Sequence, residues 1–204
     1  MKSRFTNRIS NLLSHAGNNM SSALSSFYVK YVICPIKGIA IGRGNKFNGV
    51  PHLFVDNGGI IQIGSHDRFN SSPSSNNMGI NHRCMVCATP AVTQSCKIKI
   101  GNHCGFSGTS IWCFCGITIG NEVRCGANTL IMDGDAHFDD WRTSPPEPIV
   151  IEDNVFLGAG AIVRKGVRIG KNSVIGMNSM VTHDIPANVI AAGTPCKVIK
   201  QLNK

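Results

Sequence analysis

Aromatic residues are scarce, at 6% of the 204 residues, and no apolar run approaches the length of a membrane span. Set beside 22 glycines and recurrent Ile and Val, the shortage of aromatics argues against a helical bundle and for short strands joined by tight turns. The absence of a long apolar run excludes a spanning helix from the reading. The opening MKSRFTNRISNLLSHAGNNM also lacks the continuous apolar core of a signal peptide, so a soluble or peripheral protein is expected. Acids are missing where bases gather: residues 1–55 hold seven Lys or Arg and no Asp or Glu, within a net charge of +9. Such an end can face an anionic membrane or an acidic polymer, or be a solvated basic face. No DNA- or RNA-binding motif accompanies it, so nucleic acid is not an expected partner. Nine cysteines are present, but Cys84 with Cys87 and Cys113 with Cys115 do not complete a zinc spacing, and no metal is expected. Cys104, Cys125 and Cys196 read as small buried apolar residues in a reducing compartment.

What the chain does contain is a beat. Residues 1–35 form an amphipathic helical appendage by their spacing: Phe5, Ile9, Leu12, Ala16, Met20, Ala23, Phe27 and Tyr31 recur every three or four positions. Gly17 weakens that helix and Pro35 ends it. The stripe packs on the main domain, on a neighbouring subunit, or on a membrane surface through residues 1–33. From 36 to 204 the period changes to six. IEDNVF, LGAGAI, VRKGVR, IGKNSV, IGMNSM and VTHDIP follow one another without slippage, headed by Ile151, Leu157, Val163, Ile169, Ile175 and Val181. Neither a helix at 3.6 nor a strand at 2 has that period; a short strand plus a tight corner does, and three such units make one triangular coil. The heads point inward and the coils stack by strand pairing. Upstream the beat reads Ile100, Phe106 and Trp112, slips by one, and resumes at Ile119, Cys125 and Ile131.

The segments IxIGNxxxxG, an aspartate-rich loop with a histidine, and hexapeptides ending in DIPANVIAAGTPCKVIK resemble the hexapeptide-repeat acyltransferases. FNSSPSSNNMGINHR and the basic N-terminal helix narrow the likeness to bacterial polysaccharide O-acetyltransferases, kin of the maltose, galactoside and nodulation-factor enzymes. The resemblance implies an all-β fold, a left-handed parallel β-helix over 36–204 with a protruding catalytic loop at 132–150. Handedness comes from the family alone, since parallel crossovers are ordinarily right-handed. It also implies a cytoplasmic enzyme, at most peripheral on the inner face of the membrane. That enzyme would be a homotrimer with its sites between subunits, moving an acetyl group from acetyl-CoA to a sugar hydroxyl on a saccharide or lipid-linked glycan. Transfer to the nitrogen of an amino sugar, and a noncatalytic trimeric scaffold, remain as alternatives.

Seventeen residues, 132–148, carry no Leu, Ile or Val. A loop without a core residue costs ordering entropy and usually exists for function. Its His137 is expected as the general base that takes the hydroxyl proton, because imidazole titrates near neutrality. Asp135 is expected to bind the other ring nitrogen and fix the tautomer. By resemblance Asp133, Asp140 and Arg142 belong to the same acceptor-side motif. Trp141 stacks on a sugar or covers a neighbouring coil, and Asn81 and His82 come from the acceptor-side loop. The donor would lie along the C-terminal coils. The resemblance implies Phe156, Gly158 and Ala159 beside the thioester, Met177 along the pantetheine, and Thr182, His183, Lys197 and Lys200 near the nucleotide.

Overall fold

The computed structural model describes residues 22–91 and 95–203. The chain winds into a left-handed parallel β-helix, each turn laying one short strand on each of three sheets. Among the described residues, sheet 1 has six strands, from Ala40–Ile41 to Arg168–Ile169. Sheet 2 has eight, from Lys46–Asn48 to Lys197–Gln201, and sheet 3 has six, from His52–Val55 to Met180–Val181. Among the described strands only Lys197–Gln201 runs antiparallel, folding back on Val189–Ala192 to finish sheet 2. No described helix is long and apolar enough to cross a membrane.

The six expected heads, Ile151 to Val181, are all fully buried and stack in register, Ile151 on Ile169, Leu157 on Ile175 and Val163 on Val181. Corners between sheets 1 and 2 need a left-handed residue, and Asn154, Asn172 and Asn188 supply it at φ 56°, 61° and 59°. Asn tolerates that region because its short amide bonds locally. Here the amides also join across coils, Asn154 Nδ2 donating to Asn172 Oδ1 at 3.0 Å and Asn172 Nδ2 to Asn188 Oδ1 at 2.8 Å. At the start of sheet 2 the column is aromatic: Phe47 stacks on Phe69, and Phe69 on Phe106, with ring centroids 5.0 and 4.9 Å apart. Cys34, Cys104 and Cys125 are buried thiols, and burial pushes Cys34 up to about 11 and Cys104 up to about 12, far from the reactive thiolate range.

Upstream, one expected core position is wrong. Ile111, not Trp112, faces inward and pairs with Ile131, while Trp112 is 39% exposed. The corner at Gly108 is one residue short, so the slip falls before this strand, and a slip of one residue turns every side chain to the opposite face.

The helix occupies residues 22–36, and residues 1–21 of the expected stripe lie outside the described residues. A π-helical turn at Val29–Ile33 precedes Pro35, which lacks an N–H for the regular ladder. Gly38 then ends the helix at φ 65°, with Ile39 N–H bonded to Cys34 O and Gly38 N–H to Pro35 O. Of the expected stripe, Phe27 and Tyr31 point outward; Val29 and Cys34 are the buried side chains. Ser26 Oγ completes the docking by accepting the Phe47 N–H at 2.9 Å.

Asp67 is the odd group in this core. Its side chain is fully buried, Oδ1 accepts Cys104 N–H at 2.7 Å, and Oδ2 has no partner. Burial pushes its pKa up to about 6. An unfolded aspartate ionises near pH 4. The contribution of Asp67 to stability should therefore be greatest below that point, fall as pH rises from about 4 to about 6, and level off above the folded value, since in that window the unfolded chain alone has lost the proton. Asp67→Asn should remove this dependence, so that its melting temperature gains on the native protein's between pH 4 and 7.

Candidate active site

The loop leaves the coil at a corner between sheets 3 and 1, and its base is fixed by the chain itself. Asp133 is fully buried. Its Oδ1 accepts Phe114 N–H at 2.6 Å, and its Oδ2 accepts Cys115 N–H at 3.0 Å and Gly116 N–H at 2.7 Å. The Cys113 and Cys115 thiols point at the same Oδ2 from 3.4 and 3.3 Å. Asp133 was expected to contact the acceptor; it instead fills a nest of consecutive backbone donors in the coil below, which would otherwise be orphaned. Phe138 packs edge-on against buried Phe114 with centroids 5.0 Å apart, pinning the middle of the loop.

A second clamp comes from the coil above. Lys165, whose side chain is only 10% exposed, binds Asp135 and donates to Ser144 O at 2.8 Å, so one ammonium holds both arms of the loop. Arg164 adds a bond to Asp135 Oδ1 at 3.1 Å. These partners, Lys165 first, hold the Asp135 carboxyl below the usual carboxylate range. Asp135 is thus engaged by two cations in the chain rather than by the His137 ring, which corrects its expected role as the imidazole's partner. Lys165→Met should free both arms: limited proteolysis within 135–145 should quicken, and stability fall by about 1–3 kcal/mol, the worth of hydrogen bonds to a charged group. Lys165→Arg should restore much of both.

His137 stands exposed at the loop's turn, where its carbonyl accepts Asp140 N–H at 3.1 Å and the Thr143 hydroxyl at 2.8 Å. Its ring makes no hydrogen bond among the described residues. Asp140 and Arg142 grip each other, Nε to Oδ1 at 2.9 Å and Nη2 to Oδ2 at 2.6 Å, which holds Asp140 below its ordinary range. Trp141 is 91% exposed and lines a shallow cleft with Phe138, Pro145 and Pro146.

The expected site residues fall on two edges of sheet 3. Thr182 and His183 lie on the His137 edge, in an open cleft with Glu147, Arg164, Lys165 and Asp184. Asn81 and His82 lie on the other edge, between sheets 2 and 3, where Asn81 N–H donates to Asn128 Oδ1 at 2.8 Å. Gly158, Ala159 and Met177 share that second edge, with Phe156 on the adjoining strand of sheet 2. One chain therefore does not bring His137 to Ala159 or His82, and it separates Thr182 and His183 from the other donor-side residues. Lys197 and Lys200 sit on the final strand of sheet 2.

Of Gly158 and Ala159, expected together beside the thioester, Gly158 has its N–H bonded to Ile175 O at 2.8 Å. A Cβ at Gly158 would lie 2.6 Å from Met177 N, so glycine is required by the stacking of coils. The free donor is its neighbour: Ala159 is partly exposed, and its N–H has no partner among the described residues. The sequence carried no signal separating the two.

Residues 148–183 match the family model of the hexapeptide repeat of succinyl-transferase. That stretch of the chain is similar to the hexapeptide-repeat family. It is 48% identical over 99 residues to a galactoside O-acetyltransferase of Lactococcus lactis, covering 43% of this chain and 44% of the relative. It is 38% identical over 89 residues to a 2,3,4,5-tetrahydropyridine-2,6-dicarboxylate N-acetyltransferase of Staphylococcus aureus, covering 43% and 34%. These matches span less than half of either relative's length. In fold it is similar to the Bacillus cereus N-acyltransferase AntD, with a TM-score of 0.66 over 88% of this chain and 91% of that one at 18% identity. At that identity the likeness speaks for the hexapeptide-repeat coil and not for its chemistry.

Proposed function

We propose that the protein is an acetyl-CoA-dependent O-acetyltransferase acting on a sugar hydroxyl, and that it works as a ring of three copies. The observation that carries this reading is the division of the candidate site: an exposed, unbonded imidazole on one edge of sheet 3, an unbonded backbone N–H on the other. The surface between them favours self-association. Outward positions of sheet 3 hold Phe54, Trp112, Leu130, Met132, Ile162 and Met180, whereas sheet 2 carries Lys46, Arg68 and Arg124, and sheet 1 carries Lys97, Lys99 and Arg168. Uncharged faces of this kind are covered in oligomers, and a head-to-tail contact that closes into a ring would set the His137 edge of one copy against the Ala159 edge of the next.

In that arrangement His137 takes the acceptor hydroxyl's proton as its oxygen attacks the thioester carbonyl carbon. The oxyanion develops against Ala159 N–H. The carbon–sulfur bond then breaks, and the imidazolium returns the proton to the leaving thiolate. Phe156 and Met177 flank the pantetheine, and Thr182, His183, Lys197 and Lys200 serve the nucleotide end. Names of relatives include both O- and N-acetyltransferases, so transfer to an amine stands as the second reading. Thiol release from acetyl-CoA, followed with sugars offering hydroxyls only and with amino sugars, separates the two. Sedimentation at the mass of one protomer, or no coenzyme A binding by calorimetry, would overturn the proposal.

A further inference from the structure

The net charge is not spread along the column. Residues 1–132 hold twelve Lys or Arg and three Asp or Glu, while residues 133–204 hold eight of each. The surplus thus lies before the His137 loop, with four of the bases in residues 1–35 and eight in residues 36–132. On sheet 2 part of it is organised. Lys46 pairs in register with Arg68, Arg68 with Gly105, Gly105 with Arg124, and Arg124 with Phe156. The three cations are exposed, and among the described residues no carboxylate lies within ion-pair distance of any of them. They form a line across four strands, about 14 Å long at ordinary strand spacing. At Gly105 the space where a side chain would stand is open, which leaves a notch between Arg68 and Arg124. Beside the cations runs a second line of hydrogen-bonding groups. Asn48 Nδ2 donates to Asn70 Oδ1 at 2.7 Å and Asn70 Nδ2 to Ser107 Oγ at 3.0 Å, so the amides are held in place.

We infer that the outer face of sheet 2 binds a polyanionic sugar chain, which makes the acceptor of the proposed reaction an acidic polysaccharide. The inference rests on the acetyl-transfer reading for its word acceptor, but the binding stands apart from catalysis. A linear array of cations beside a linear array of amide and hydroxyl groups suits a polymer that repeats carboxylates and hydroxyls along its length. Steering of such a chain by unpaired cations is long-ranged at low salt. An anionic bilayer fits less well. Between Lys46 and Arg124 the outward strand positions hold no large apolar side chain, exposed aromatics standing only at the ends of the line, Phe156 beside Arg124 and Phe27 on the helix docked at Phe47, and the charged line is one residue wide. The line also leads to a substrate position, since Arg124 lies directly beside Phe156 on the next strand.

The test uses the full chain and three probes: oligogalacturonate, neutral maltooligosaccharide of equal length, and phosphatidylglycerol vesicles. Calorimetry should show binding of the oligogalacturonate alone, weakening as salt rises from 50 to 200 mM. A variant combining Lys46→Gln, Arg68→Gln and Arg124→Gln should bind it at least tenfold more weakly, with its melting temperature unchanged. Failure to bind the acidic probe, binding that the triple variant retains, or vesicle binding lost with the same three residues would each overturn the inference. Thiol release from acetyl-CoA with a neutral sugar keeps the two claims apart. If release persists while acidic-probe binding is absent, the acetyltransferase reading survives without this one. If binding is present but no acceptor yields thiol, the reverse holds.

Discussion

His137→Ala should lower turnover by a factor of about 10² to 10⁴, the usual loss when a general base is removed. Coenzyme A affinity should scarcely change, because the donor-side groups lie on other elements and the ring itself makes no bond in the chain. Folding should survive for a related reason. The loop is fixed by Asp133, Phe138, Lys165 and backbone bonds to the His137 carbonyl, none of which needs the imidazole. His137→Asn, which keeps some polarity without a titratable base, should be as slow as alanine. The measurement is single-turnover thiol release beside calorimetry with coenzyme A. Near-normal turnover in either variant would remove His137 from the mechanism, and loss of donor binding would show that the two edges of sheet 3 are not assigned as proposed.

Much of the fold could be read from the sequence because a six-residue beat repeats one physical decision: an aliphatic inside, then a small residue at a corner. From Ile151 to Val181 every unit buries its aliphatic, and Gly158, Gly170 and Gly176 follow three of them, so register errors cannot accumulate. They did accumulate upstream, where the short corner at Gly108 turned Trp112 outward and Ile111 inward; a slip can be seen in a sequence, but the side of the strand on which it falls cannot. The helix misled for another reason. Its periodic aromatics Phe27 and Tyr31 face away from the column, and the docking is made by Val29, Cys34 and a serine hydroxyl that no periodicity marks.

At the site, residue types were legible and partners were not. A motif of alternating aspartates around a histidine announces charge near a base, but it does not say which carboxylate a lysine thirty residues later will claim. Asp135 went to Lys165 in this way. Nor does counting along the chain reveal that Thr182 and Ala159 sit on different edges of sheet 3. That follows only once three strands per coil are traced through each corner.

Asp133 is where the loop's chemistry and the column's stability meet, and its replacement should cost the fold most among the loop residues. Asp133→Ala would leave the N–H groups of Phe114, Cys115 and Gly116 without their acceptor, and each orphaned donor in a buried setting costs about 1–3 kcal/mol. Water can reach Cys115 and Gly116 in part, since both are only half-buried, so a loss of about 3 kcal/mol or more is expected in denaturant unfolding rather than the full total. Asp133→Asn discriminates this role from simple space filling. Both carboxylate oxygens are used as acceptors, so an amide must turn its NH₂ toward backbone donors at one of them. The isosteric variant should therefore be nearly as destabilised as alanine. Turnover should fall in both because the loop's first anchor is gone, while Lys165 and Phe138 still hold its later part. If Asp133→Asn instead unfolds like the native protein yet fails to turn over acceptor, the carboxylate acts on substrate, and the sequence-based expectation for it was right.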